Sequence, residues 1–125
     1  MELVKFDDAT KRFVIRMPPD EFGDTVAVLK GVYKTAERQD FTALGVYTKE
    51  RVLELVDALE KNNTTLDNIT LEQQDFLDLF DLVGGVCATA GMQDFTALAV
   101  TKERASDLSK ELRNVLRKDL NKEPI

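Results

Sequence analysis

The chain has 125 residues, of which 43% are hydrophobic and 32% charged, a globular composition at the length of one domain. It lacks any apolar run near the roughly 18–20 residues of a membrane-spanning helix. Its first residues, Met-Glu-Leu-Val-Lys-Phe-Asp-Asp, are charged where a secretory signal is apolar, so the expected location is cytoplasmic, with no membrane partner. A net charge of −6 disfavours nucleic acid as a partner. The lone Cys87 cannot form an internal disulfide, and the absence of histidine removes the commonest zinc ligand and general base. No metal, cofactor or catalytic residue is therefore expected.

Leu3–Phe6 and Arg12–Arg16 flank the polar run Asp7–Lys11, the pattern of a β-hairpin over residues 1–18. Phe22, Val26, Leu29, Val32 and Tyr33 then recur at helical spacing behind Pro18-Pro19-Asp20, predicting a helix from Asp20 to Ala36. Val52, Leu55, Val56 and Leu59 mark a second amphipathic helix. The polar stretch 62–69 reads as a linker. Thr70 and Gln73 have the spacing of a capping box ahead of a helix from Leu71 to Ala90, and Ala105, Leu108, Leu112, Val115 and Leu116 mark the last helix. Asn121–Ile125 lack periodicity and are expected to fray.

The strongest signal is internal repetition. The sixteen residues from Gly31 to Val46 return from Gly85 to Val100 with eleven identities, and Thr48-Lys49-Glu50-Arg51 recurs intact as Thr101-Lys102-Glu103-Arg104. Only Tyr47 lacks a counterpart. One residue inserted within a helix would rotate everything after it by about 100°, whereas a strand-to-helix junction absorbs it. Phe41–Tyr47 and Phe95–Val100 are accordingly predicted as strands. The expected fold is α+β: an N-terminal β-hairpin followed by two tandem αβα repeat units, 19–61 and 70–120, packed as one domain. The alternative is a mainly α chain in which Phe95 to Leu120 forms one helix, since Leu98, Ala105 and Leu112 keep a seven-residue spacing.

Two functions compete. The leading one is a non-enzymatic interaction or regulatory protein working as a homo-oligomer, because its amphipathic helices offer more apolar surface than a single layer buries. Gly31 and Gly85, each followed by a threonine four residues on, suggest close helix packing within or between chains. The alternative is a protein that binds or sequesters a small anionic molecule, nucleotide-like or phosphorylated. Thr48, Lys49 and Arg51, and again Thr101, Lys102 and Arg104, place cations at helix starts already positive by their dipole. Beside them Gln39, Asp40 and Phe41 recur as Gln93, Asp94 and Phe95, two possible half-sites about a twofold axis. The plainer account makes Asp a turn residue, Phe a core anchor and the cations partners of nearby carboxylates. It predicts buried rings and occupied arginines.

Overall fold

The computed structural model describes residues 1–46, 48–61 and 68–121, with side chains given through residue 117. The fold is α+β. Strands β1 (Glu2–Asp7), β2 (Arg12–Arg16) and β3 (Asn68–Glu72) form an antiparallel sheet in the order β1-β2-β3. The described helices are α1 (Pro19–Lys34), α2 (Lys49–Lys61), α3 (Gln73–Ala88), the single turn α4 (Phe95–Leu98) and α5 (Lys102–Asn121). None is long and apolar enough to cross a membrane.

The predicted hairpin is present. Its turn is closed by Asp7, whose carboxylate accepts the Ala9 amide at 3.0 Å, and by Lys11 in a left-handed conformation at φ 55°. Alternation along the strands places Phe13, Ile15, Ile69 and Leu71 on the buried face. Phe13 stacks on Phe76 of α3 at 4.5 Å between ring centroids and meets Phe6 at 4.7 Å, tying the sheet to the helices. Arg12, Arg16 and Glu72 alternate to the other face and remain exposed. Burial of each such core side chain contributes on the order of 1.5–3 kcal/mol.

Three expectations are corrected. First, Phe41–Tyr47 and Phe95–Val100 are not strands: residues 41–45 are turns, 95–98 are α4, and Tyr47 lies outside the described residues. The aspartate before each segment decides this locally. Asp40 Oδ1 accepts the amides of Thr42 (3.1 Å) and Ala43 (3.3 Å), and Asp94 Oδ1 those of Thr96 and Ala97 at the same distances. A carboxylate holding two successive amides starts a helical turn rather than an extended chain. Gly45 at φ 75° and Ala99 at φ 58° then end each turn in the left-handed region.

Second, Thr70 and Gln73 do not cap a helix beginning at Leu71. Asn68–Glu72 pairs with β2, and α3 starts at Gln73 without a side-chain cap. Ile69 and Leu71 fit the pleat better than a helix start because both point into the core beside Ile15 and Phe13. Of the expected linker, 68–69 belong to β3 and 62–67 lie outside the described residues. Third, the left-handed Ala99 and the Thr101 hydroxyl, which accepts the Arg104 amide at 3.0 Å, separate α4 from α5 and exclude one helix from Phe95 to Leu120.

Each stretch of repeated sequence is therefore ordered β-α-turn-α, not αβα, with β1 as an additional edge strand. Ile15 and Ile69, spaced by the same 54 positions as the repeated block, are direct partners in the β2–β3 ladder.

Candidate functional site

The repeated residues meet where the first half (β2, α1, α2) packs against the second (β3, α3, α4, α5). Gly31 of α1 lies under the α4 turn: a Cβ there would stand 2.5 Å from Leu98 Cα and 2.7 Å from the Ala97 carbonyl oxygen. Gly85 of α3 lies under the corresponding turn of the first half, with Leu44 Cα at 2.7 Å and the Ala43 oxygen at 2.8 Å from the same notional atom. The two contacts are reciprocal. Only glycine admits a backbone this close.

One turn beyond each glycine, the threonine hydroxyl donates to its carbonyl: Thr35 to Gly31 at 2.9 Å and Thr89 to Gly85 at 2.8 Å. Each threonine oxygen accepts from the glutamine four residues on, Gln39 at 2.7 Å and Gln93 at 2.8 Å. The second amide hydrogen of each glutamine goes across the seam. Gln39 Nε2 donates to Gln93 Oε1 at 2.9 Å, and Gln93 Nε2 to Gln39 Oε1 at 3.0 Å. Both amides are half-buried with both N–H groups engaged, so the network fixes the approach of the two halves.

The arginines also reach across the seam. Arg51, at the start of α2, binds Asp78 (2.7 Å) and Asp75 (2.8 Å) of α3. Arg104, at the start of α5, binds Asp24 (2.6 Å) and, at 3.6 Å, Asp20 of α1. Burial works against the charge on Arg51, yet the hydrogen bonds it donates to Asp78 and Asp75 outweigh it and hold the guanidinium above its ordinary pKa. For Arg104 the bond to Asp24 is the largest influence and acts in the same direction.

Of the residues predicted to hold an anion, the structure brings Gln39 and Gln93 together and disperses the rest. Asp40 and Asp94 cap their own turns; Arg38 lies 3.9 Å from Asp94. Phe41 and Phe95 are half-buried against the core. Thr48 accepts the Arg51 amide at 3.3 Å, as Thr101 does that of Arg104. Lys49 and Lys102 are exposed. The cavity beside the glutamine pair, between Arg38, Ala43, Thr89 and Met92, measures about 60 Å³, against the roughly 300 Å³ at which small-molecule pockets begin. The wider groove around Arg51 is lined by Glu54, Glu72, Asp75, Asp78 and Asp81, the wrong sign for a phosphate. Cys87 is half-buried, and burial raises its thiol pKa, away from the nucleophilic thiolate.

The sequence pointed only to nearby carboxylates as partners of the arginines; the partners across the seam are Asp20, Asp24, Asp75 and Asp78. A signal was available: Asp24 and Asp78 have the 54-residue spacing of the repeat, and each meets the arginine of the opposite half.

The chain was compared with protein-family models, with curated proteins and with solved structures, and none matches.

Proposed function

We propose that this chain is a non-enzymatic, cytoplasmic interaction and regulatory protein that works as a homo-oligomer, with the seam between its halves as the association surface. The observation that carries the reading is self-complementarity. Gln39 pairs with Gln93 and Ile15 with Ile69, equivalent residues facing one another as they do across the twofold axis of an isologous dimer. A second copy that exchanges a half with this one makes the contacts that each half otherwise makes within its own chain.

The repeated polar residues weigh against the anion-binding alternative. Thr48 and Thr101 cap helix starts, Asp40 and Asp94 cap their own turns, Gln39 pairs with Gln93, and Arg51 and Arg104 are held by aspartates of the opposite half. Leu79, Leu82, Val83 and Val86 of α3 are buried within the chain, where α3 packs chiefly on α5 of its own half, so a second copy reaches the seam only by exchange of halves.

Size-exclusion chromatography with light scattering tests the proposal. A species of at least twice the chain mass, growing with concentration, is the expected result. A strict monomer throughout the micromolar range overturns it. In a parallel thermal-shift measurement, phosphate and nucleotides should leave the melting temperature unchanged. A rise abolished by Arg51→Ala with Arg104→Ala would reinstate the anion-binding alternative.

A further inference from the structure

One charge at the edge of the sheet is supplied by the backbone. The α-ammonium of Met1 donates a hydrogen bond to Glu21 Oε1 of α1 and lies 3.4 Å from Glu111 Oε2 of α5, so it joins the start of β1 to both helices. Glu21 is buried, at 8% exposure, whereas the Glu111 side chain is 38% exposed. A carboxylate as enclosed as Glu21 requires a cation or hydrogen-bond donors.

Comparison of the two halves identifies what the ammonium replaces. Asp75, the counterpart of Glu21 at the 54-residue spacing of the repeat, is held by Arg51. Arg104, the counterpart of Arg51, turns instead to Asp24 and Asp20. Among the described ion pairs, that of Glu21 is with the Met1 ammonium.

The seating of β1 has little else to fix it at this end. The β1–β2 register shifts between Leu3 and Lys5, which interrupts the ladder beside the strand's first pair. Between Met1, Leu3 and the α5 residues Glu111, Val115 and Arg117 lies a cavity of about 350 Å³, so apolar contact there is incomplete. The strand also lies outside the repeat and holds none of the reciprocal contacts of the seam.

We propose that the Met1 α-nitrogen is a modification site, and that its conversion from ammonium to amide releases the start of β1 from α1 and α5. The reagent class is an acyl thioester. The ammonium gives one proton to solvent, the amine attacks the thioester carbon, the C–N bond forms as the C–S bond breaks, and the thiol leaves with the second proton. The product has lost the positive charge that Glu21 faces. A peptide bond to a residue ahead of Met1 has the same effect, so the switch reads whether this nitrogen is free. Unseating β1 bares the outer edge of β2, which then presents unpaired amides and carbonyls to other strands. The proposal does not depend on how copies of the chain associate.

The test compares the full chain with a free Met1, with Nα-acetylated Met1, and with a Gly-Ser dipeptide ahead of Met1, each in the parent and in Glu21→Gln. In the parent, both blocked forms should melt about 5–10 °C below the free form. Hydrogen exchange should quicken at the amides of Leu3–Phe6 while those of Leu79–Val86 in α3 keep their protection. In Glu21→Gln, which strands no charge, blocking should cost less than about half as much. Equal melting of the free and blocked parent overturns the proposal. Faster exchange spread evenly over β1 and α3 does so too, as does a loss on blocking that is the same size in Glu21→Gln.

Discussion

Gly31→Ala sets two effects of opposite sign against each other. In an open helix interior, alanine is favoured over glycine by roughly 0.5–1 kcal/mol. At Gly31 the new methyl would lie 2.5 Å from Leu98 Cα, 2.7 Å from the Ala97 oxygen and 2.8 Å from Leu98 Cδ2. Two of these atoms are backbone and cannot rotate away, so α1 and the α4 turn must separate by about 1 Å to restore ordinary contact. Overpacking of this kind costs about 1–3 kcal/mol, and the separation also stretches the Gln39–Gln93 pair. The net expectation is a loss of about 2 kcal/mol, or roughly 6–12 °C in Tm for a chain of this length. Gly85→Ala should follow closely, its nearest backbone atom being at 2.7 Å. Gly84 and Gly23, with nothing within 4 Å, are internal controls: alanine at either should raise stability by about 0.5 kcal/mol or more. Thermal and urea melts followed by circular dichroism measure all four. If Gly85→Ala matched Gly84→Ala, the close approach of the halves would not constrain the fold and the reasoning would be refuted.

Ala99→Gly, judged by the same melts, should gain roughly 1 kcal/mol by relieving a left-handed non-glycine residue, whereas Gly45→Ala should lose stability against Asp81. Arg51→Ala leaves Asp75 and Asp78 without their shared cation at a site where all three side chains are at most 20% exposed, and should cost about 2 kcal/mol. Arg104→Ala, at a more open pair, should cost about 1 kcal/mol or less and respond more to salt. Burial and the neighbouring Asp78 raise the pKa of Asp81 above its ordinary value. Its folded pKa thus exceeds its unfolded one, so its contribution is most favourable below the unfolded pKa and is lost as pH rises through the folded value. Asp81→Asn should therefore melt higher than the parent at pH 7, with the advantage shrinking toward the acid side of the carboxylate range; an advantage that grows on acidification would contradict the assignment.

Much of the fold was legible where a local pattern had a single structural solution. The alternation in Arg12–Arg16 and the helical spacings from Phe22 to Val32 and Leu55 to Leu59 correspond to β2, α1 and α2. The Phe-Thr-Ala-Leu segments were misread because β-favouring side chains were weighed without the aspartate ahead of them, whose carboxylate captures two amides. β3 was missed because Ile69 and Leu71 are too short a run to stand out, and only pairing with β2 gives them a periodicity. At the candidate site, the repeat singled out Gln39, Gln93, Arg51 and Arg104, but sequence could not show what each one faces. The aspartates that hold the arginines lie 24 to 84 residues away and across the seam. Reading a repeated polar cluster as a ligand site overlooks that a self-complementary interface also requires repeated polar groups.

The reciprocal amide pair at the centre of the seam provides the most direct test. In a double-mutant cycle on Gln39→Ala and Gln93→Ala, each single change leaves one amide half-satisfied and partly buried, while the double change removes both. The account predicts that the double variant is less destabilised than the sum of the two singles, by a coupling of about 1–2 kcal/mol. Additivity within about 0.5 kcal/mol, the behaviour of independent surface residues, would contradict the claim that the repeated residues exist to hold the two halves together.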